Sequence, residues 1–423
     1  MQVSVKPRLS AMMFLQYGVW GLWLPVLARY LQASIAEGGL GFTPGQVGWI
    51  LGLAGSIGAL TAPFVAGQLA DRTFSTEKFL AALLFAGGVI KIITAFQTSF
   101  VAWLVLSVAY SVLYTPTLAL TNSLTFAHLK EPESEFPYVR VWGTVGWIAA
   151  GWLFPLFWLL TDVELQWLPP FYQGTEVANA TSRLADSLIV SGVIALLYAV
   201  SCFLLPHTPP KKAAEKLAFA KAFRLFRRRS FTVLVAASLP ISVIHQIYFM
   251  QTAPFFSDLG LRDSQILPAM TVGQFAEIGV MAGLGFLIKK LGTRWVMTVG
   301  GLAYFLRYAI FAMTGLPVGV IVASQFLHGF CYACFFAVAY IYVDRIAEED
   351  VRHSAQTVFG MIILGVGPVV AAPVLQRLST VFGNGEAITD YAGLWSTLAM
   401  VGLVTALGFA ALFRDDAPAT APE

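Results

Sequence analysis

The stretch SQILPAMTVGQFAEIGVMAGLGFLI, residues 264–288, is predominantly apolar and carries one carboxylate, Glu277, near its middle. It is long enough to cross the hydrocarbon core of a bilayer, which takes about 20 residues in an α-helix. An ionised side chain at that depth costs at least about 2.5 kcal/mol, so a charge placed there is by default a functional residue. The stretch therefore predicts a membrane helix with a functional acid.

The composition extends this prediction to the whole chain. Hydrophobic residues make up 57% of the sequence and charged residues 12%, against roughly 45–50% and about 25% in soluble domains. The other long apolar stretches lack the alternation of a barrel strand, which predicts helices. We predict twelve spans, at 8–31, 46–70, 78–97, 99–127, 137–161, 184–205, 231–256, 264–288, 294–314, 317–343, 354–381 and 389–413.

The longest polar segment divides these spans into six and six, which suggests duplicated halves. We predict a six-helix bundle at 1–205, a basic cytoplasmic linker at 206–230, a second six-helix bundle at 231–413 and a cytoplasmic tail at 414–423.

The basic residues predict the orientation. With a cytoplasmic N-terminus, only Arg29, Arg183, Arg262 and Arg377 among the basic residues of the loops fall outside. This asymmetry follows the positive-inside rule and places both termini in the cytoplasm. The net charge of +3 then reflects loop topology and predicts no nucleic-acid partner.

Two short loops, six spans apart, carry a related pattern. The first reads Gly67-Gln-Leu-Ala-Asp71-Arg72, and the second runs from Gly285 to Arg294. A glycine lets neighbouring helices approach, and charges there can cap helix ends and hold one conformation. The pair resembles the loop motif of the major facilitator superfamily, although most basic residues expected after Arg72 are missing. We assign Gly67, Asp71 and Arg72 to a conformational loop motif.

A closer resemblance comes from several segments together. They are LQYGVWGLWL (15–24), PTLALTN (116–122), FPYVRVWGTVG (136–146), QFAE (274–277) and RHSAQ (352–356). The set resembles the bacterial nucleoside:proton symporter family of the major facilitator superfamily, over nearly the whole chain. The resemblance implies an all-α membrane protein of the major facilitator fold in the bacterial inner membrane. Such a protein imports nucleosides with protons by alternating access and is not an enzyme.

Residue spacing argues independently for a site on the eighth span. Helical geometry places Gln274 and Glu277 on one face, so an amide able to hydrogen-bond a base or sugar adjoins a titratable carboxylate. We predict that Gln274 binds substrate and that Glu277 carries the proton. The alternative is a protonated Glu277 that only bonds a neighbouring helix.

In the fifth span, Arg140, Thr144 and Trp147 follow one another at helical intervals. Position alone leaves Arg140 open as a lipid anchor or a cavity charge, and the resemblance favours the cavity. Thr144 offers a hydroxyl, and Trp147 offers a surface on which a nucleobase could stack or a side chain that only packs. We assign all three to substrate binding.

The seventh and tenth spans complete the predicted site. By the resemblance, Gln246 falls on a substrate-contacting position, whereas Phe249 stands where relatives have Asn. His328 and Tyr332, four residues apart, share a helical face and could contact a ribose or base. The position after Tyr332 is usually an Asp in the family and is Ala333 here. Without that acid, Glu277 would carry more of the proton coupling.

Other polar residues in the spans carry weaker predictions. Lys91 and Arg307 could serve as ion-pair partners or snorkel to the surface, and His245 is interpreted as a packing residue. Cys202, Cys331 and Cys334 lie in apolar spans and predict packing rather than metal or redox chemistry. No metal site, cofactor or phosphate-binding loop is predicted.

The predicted partners are a small-molecule substrate, with nucleoside favoured, together with protons and the lipid bilayer, and we expect a monomer. Two alternatives stay open at this stage. One is a transporter for another small polar solute, such as a sugar or nucleobase, because one fold carries many substrates. The other is a membrane sensor that binds a solute without moving it.

Overall fold

The computed structural model describes residues 5–65, 74–167, 171–209, 223–347 and 352–415. Within these ranges it contains eleven helical spans long and apolar enough to cross a membrane. They are α1 (Val5–Gln32), α2 (Pro44–Pro63), α3 (Thr76–Ala95), α4 (Phe100–His128), α5 (Glu135–Leu159), α6 (Ala180–Leu204), α7 (Arg229–Asp258), α8 (Asp263–Ala312), α9 (Val318–Ile346), α10 (Ser354–Val381) and α11 (Tyr391–Leu412). The predicted helical, multi-pass architecture is confirmed. Gly67, Asp71 and Arg72 lie outside the described residues.

Span α8 is 50 residues long, a length of about 75 Å at 1.5 Å per residue, against a hydrocarbon core of about 30 Å. Gly292 interrupts it with φ 76° and ψ 160°, a left-handed backbone that glycine adopts without steric cost. The span therefore consists of two helices joined at Gly292. Just after the break, Arg294 donates from Nε to the carbonyl oxygen of Ala410 at 2.7 Å.

The connection from α5 to α6 contains a β-hairpin that the all-α prediction missed. Strand β1 (Leu160–Leu165) pairs antiparallel with β2 (Tyr172–Glu176). The Tyr172 hydroxyl donates to the carbonyl oxygen of Trp152 at 3.0 Å, and burial raises the pKa of that phenol. A hairpin is possible here because exposed strand edges need water, which is available only outside the hydrocarbon.

Short segments of other helix types lie within and between the spans. The 3₁₀ turns lie at Ile35–Glu37, Cys202–Leu204, Phe223–Arg227 and Ser324–Phe326. The π-helical segments lie at Trp49–Leu53, Pro155–Leu159, Cys331–Ala337 and Met361–Val366. Each π segment adds a residue to a helical turn, so the side chains after it face a different direction from those of a regular α-helix.

The chain forms two compact units. Unit 1 comprises Met1–Ala213, Ile247–Thr271 and Ala372–Ile388, and unit 2 comprises Ala214–Gln246, Val272–Ala371 and Thr389–Glu423. The predicted boundaries of the bundles and the linker stay a prediction.

In unit 1, glycines allow α1 and α5 to pack with their backbones close together. A Cβ at Gly146 would lie 2.1 Å from the carbonyl oxygen of Phe14, and one at Gly21 would lie 3.0 Å from the Cα of Trp147. Such close approach is typical of small residues at membrane helix interfaces. An apolar core that includes Leu9, Met13, Leu80, Leu84, Leu124 and Tyr198 lies among α1, α3, α4 and α6.

Polar contacts join segments from both halves of the sequence within unit 1. Arg29 at the end of α1 donates from Nε to Asp263 Oδ1 of α8 at 3.0 Å, and Trp152 Nε1 donates to Thr271 Oγ1 at 2.8 Å. Gln32 Nε2 donates to the carbonyl oxygen of Met250 at 3.1 Å. Within unit 1, the end of α1 is therefore hydrogen-bonded to α7 and α8, and α5 is hydrogen-bonded to α8.

In unit 2, the second half of α8 packs closely against α9 and α11. A Cβ at Gly300 would lie 2.7 Å from the backbone nitrogen of Phe335, and one at Gly301 would lie 2.8 Å from the Cβ of Ala406. On the α11 side, the Tyr308 and Trp395 rings lie 5.4 Å apart. These contacts surround the second half of α8 with α9 and α11.

Candidate functional site

A crossing of α8 and α9 in unit 2 lies next to the intramembrane carboxylate. A Cβ at Gly329 would lie 2.5 Å from the backbone nitrogen of Glu277, and a Cβ at Gly273 would lie 2.6 Å from the Cβ of His328. Only glycine at both positions permits this approach. The crossing places Glu277 against the residue that follows His328.

The predicted pair on α8 has unequal burial. Gln274 is 8% exposed, whereas Glu277 is half-buried. The helix is regular through this stretch, with its break at Gly292, so the two side chains share a face as the spacing predicts. A buried amide therefore lies beside a more accessible carboxylate.

Arg307 is the most deeply buried charge among the described residues of unit 2. It is 0% exposed, and its Nη1 lies 2.6 Å from His328 Nδ1. Its Nη2 donates to the Tyr308 hydroxyl at 3.0 Å, which in turn donates to the carbonyl oxygen of Ile244 at 3.1 Å. The guanidinium therefore links α7, α8 and α9. The interpretation of Arg307 as a residue that snorkels to the surface is wrong.

His245 on α7 belongs to the same network. Its ring lies 5.6 Å from that of His328 at an interplanar angle of 18°, and its Nδ1 lies 2.8 Å from the Tyr304 hydroxyl. The interpretation of His245 as a packing residue is consistent with these contacts. Gln246, the next residue, is half-buried.

His328 and Tyr332 lie in different surroundings despite their four-residue spacing. His328 is 3% exposed and Tyr332 is 36% exposed. The π-helical segment Cys331–Ala337 begins between them, and a four-residue spacing keeps two side chains near one face in either helix type. Ala333, where the resemblance led us to expect an acid, is fully buried in this segment.

In unit 1, Arg140 lies against an aromatic ring. Its guanidinium carbon is 4.0 Å from the centroid of Tyr17, within the range of a cation–π interaction. Gly143 leaves room for this pair, since a Cβ there would lie 2.5 Å from Tyr17 and 2.8 Å from Arg140 Nη1. The contact holds the Arg140 side chain of α5 against Tyr17 of α1. Arg140 is half-buried.

Trp147 packs edge-on against Trp20 of α1, with ring centroids 5.6 Å apart and an interplanar angle of 78°. Trp20 also lies 6.1 Å from Tyr114 of α4. Trp147 and Thr144 are both half-buried. The tryptophan therefore combines a packing role with a partly open surface.

Lys91 occupies an aromatic cage in unit 1. Its Nζ lies 3.4 Å from the centroid of Trp23 and 3.6 Å from that of Tyr110, and the residue is 4% exposed. The snorkelling interpretation of Lys91 is therefore wrong, because the side chain ends between two rings.

Arg307 carried only a weak prediction from its sequence position, and Tyr304 and Tyr308 carried none. A signal for them was present, because the arginine interrupts an apolar helix with one tyrosine three residues earlier and another directly after it. An arginine at membrane depth needs such donors, acceptors and rings around it.

These features define a class of protein. Apolar helical spans and intramembrane clusters of charged and amide groups are typical of a secondary transporter. In fold, the chain resembles the crystal structure of the nucleoside transporter NupG, which matches with a TM-score of 0.81 and 23% identity, covering 97% of this chain and 100% of that one. A D-xylose–proton symporter structure matches with a TM-score of 0.73, covering 97% of this chain and 99% of that one, at 11% identity.

The chain belongs to the nucleoside H⁺ symporter family, whose profile matches residues 1–417. A putative nucleoside transporter of Escherichia coli (strain K12), YegT, is 30% identical over 98% of this chain and 95% of its own length. The xanthosine permease of the same organism is 27% identical over 96% of this chain and 95% of its own length. The protein is therefore a multi-pass membrane transporter and not an enzyme, as the sequence predicted.

Proposed function

We propose that this transporter imports nucleosides together with protons by alternating access, with Glu277 as the proton carrier. The observation that supports this best is the crossing at Gly273 and Gly329, where the backbone of Glu277 lies against Gly329, the residue after His328. A carboxyl group at this depth is charged without its proton and neutral when it carries one. Because the neutral form is far cheaper to enclose in an apolar protein, loading would favour the conformational switch.

We further propose twelve membrane crossings in two groups of six. The two helices of α8 add one crossing to the other ten spans, because each side of Gly292 is long enough to cross alone. With both termini in the cytoplasm, the basic residues follow the positive-inside rule.

The proposed substrate contacts are the residues assigned from the sequence: Arg140, Thr144, Trp147, Gln246, Gln274, His328 and Tyr332. The set combines donors, acceptors and aromatic surfaces. Ribose hydroxyls require the first two, and a nucleobase can stack on the third.

Uptake into proteoliposomes tests the function directly. Labelled adenosine, uridine, inosine and xanthosine would be supplied outside, with and without an inward proton gradient. We expect at least one of them to accumulate above its outside concentration only with the gradient. If all four fail while a sugar or free base accumulates, the nucleoside assignment is wrong. Saturable binding of a nucleoside without flux would instead identify a sensor.

The coupling role of Glu277 needs a matched comparison. We expect Glu277→Gln to abolish accumulation while nucleoside exchange across the membrane persists, because glutamine keeps the shape and cannot release a proton. Glu386→Gln, which changes an exposed loop acid, should leave accumulation unaffected. Gradient-driven accumulation by Glu277→Gln at the wild-type level would remove Glu277 as the sole carrier.

A further inference from the structure

We infer that Arg307 is a positioning residue that holds the His328 imidazole neutral, with its single proton on Nε2. His328 then serves the substrate only as a hydrogen-bond donor. The inference rests on the proposed function for its substrate, and on the unit 2 contacts for its geometry. It gives Arg307 a defined part in substrate recognition.

The donor and acceptor roles follow from the chemistry of the two groups. A guanidinium has only N–H donors and stays charged in proteins. Its Nη1 lies 2.6 Å from His328 Nδ1, so the imidazole nitrogen must accept. A neutral imidazole has one N–H, and with Nδ1 accepting, that proton is on Nε2.

The surroundings keep Arg307 in place. Its Nη2 donates to Tyr308 at 3.0 Å, and the Tyr308 hydroxyl is itself held by the carbonyl oxygen of Ile244. The guanidinium carbon lies 5.5 Å from the Tyr304 centroid and 4.9 Å from that of Tyr308. The Arg307 guanidinium is therefore preorganised, which reduces the side-chain entropy lost when it hydrogen-bonds His328.

The His328 ring is constrained from two further sides. His245 lies nearly parallel to it at 5.6 Å, and Gly273 allows the α8 backbone to approach its Cβ. Protonation of His328 would turn Nδ1–H toward the guanidinium N–H and place two positive charges together. The contact with Arg307 therefore disfavours a second proton on His328.

The consequence for specificity is that the substrate atom at His328 must be an acceptor. A sugar hydroxyl oxygen, a base carbonyl oxygen or an unprotonated ring nitrogen meets this requirement. A group that only donates would face the Nε2–H and be rejected, because two opposed donors in a desolvated site lose their hydrogen bonds.

Nitrogen-15 NMR of histidine-labelled protein tests the tautomer without any transport. The chain has five histidines, and the signals lost in His328→Gln identify residue 328. We expect a proton on Nε2 and none on Nδ1 from about pH 5 to about pH 8, the range in which an ordinary histidine titrates. Tyr304→Phe, which removes the partner of His245 only, should leave the His328 signals as they are. A proton on Nδ1 in the wild type overturns the inference.

Arg307→Met removes the donor and keeps much of the volume. We expect His328 to titrate in this variant and the KM for nucleoside to rise about tenfold, the loss of about one hydrogen bond, with little change in maximal rate. Arg307→Lys, which restores one donor, should recover most of the affinity. An unchanged tautomer and unchanged KM in Arg307→Met would also overturn the inference.

The two proposals can fail separately. If no nucleoside is transported but His328 shows the expected tautomer, the substrate assignment fails and the donor role stands. If nucleosides accumulate and Nδ1 is protonated, the transport function stands and the role of Arg307 fails. Where Arg307→Met does not fold, the wild-type spectrum and Arg307→Lys decide the question.

Discussion

Arg29 and Asp263 form a largely buried ion pair, with Nε of the arginine 3.0 Å from Oδ1 of the aspartate and side chains 15% and 5% exposed. Thr181 donates a further hydrogen bond to Asp263 Oδ2. The pair joins the end of α1 to the start of α8, residues separated by 234 positions in the sequence. In the proposed orientation, this ion pair lies at the end of unit 1 that faces away from the cytoplasm.

We predict that Asp263→Asn opens this end of unit 1. Removing one member of a buried ion pair costs about 3–5 kcal/mol, because the other charge stays buried without its partner. The readout is alkylation, by a maleimide that cannot cross the membrane, of a cysteine introduced at the buried Gln251. We expect the rate to rise at least about tenfold.

A neighbouring contact provides the control for this prediction. Arg29 Nη1 also lies 3.2 Å from Glu37, whose side chain is 55% exposed, and exposed pairs contribute only about 0–1 kcal/mol. Glu37→Gln should therefore change the alkylation rate by about twofold at most. Equal rates for Asp263→Asn and the parent protein would show that the pair does not hold this end closed.

The second prediction concerns the crossing beside Glu277. Gly329→Ala would place a Cβ 2.5 Å from a backbone nitrogen of α8, so the helices must separate, at a cost of about 1–3 kcal/mol. We expect a lower thermal unfolding temperature in detergent and reduced uptake. Gly319→Ala, on the same span with no atom within 4 Å of its Cβ, should change neither. If both variants behave alike, the close approach is not required.

The third prediction tests the cage around Lys91. A desolvated cation–π contact contributes about 2 kcal/mol, so Trp23→Leu should lower the free energy of unfolding by roughly that amount when the lysine is present. In a Lys91→Met background the same change should cost clearly less. A double-mutant cycle in detergent measures this difference. If the effects of the two substitutions on the free energy of unfolding are additive, the Trp23 ring does not stabilise the Lys91 ammonium.

Much of this fold was predictable from local hydropathy, because apolar length alone sets where a helix can cross. The predicted ends of α3, at 78 and 97, differ from the observed Thr76–Ala95 by two residues. Gly292 was part of a predicted loop and proved to be the residue that divides α8. The hairpin of β1 and β2 was missed because it follows a long run of helices and lies outside the apolar pattern.

The side-chain network was less predictable, since it depends on contacts between spans. Arg307 and His328 are 21 residues apart, and no periodicity within one helix pairs them. The different exposure of His328 and Tyr332, 3% and 36%, likewise does not follow from their spacing along one helix. The shared face of Gln274 and Glu277 was predictable because both lie on one regular helix.

The most direct test of the central claim is proton movement driven by substrate. Proteoliposomes with equal pH inside and outside would contain a pH-sensitive dye, and a transported nucleoside would be added outside. Symport through Glu277 predicts that the lumen acidifies with wild-type protein and with Glu386→Gln, and that it does not with Glu277→Gln. Nucleoside entry without acidification in the wild type, or equal acidification with Glu277→Gln, would contradict the account.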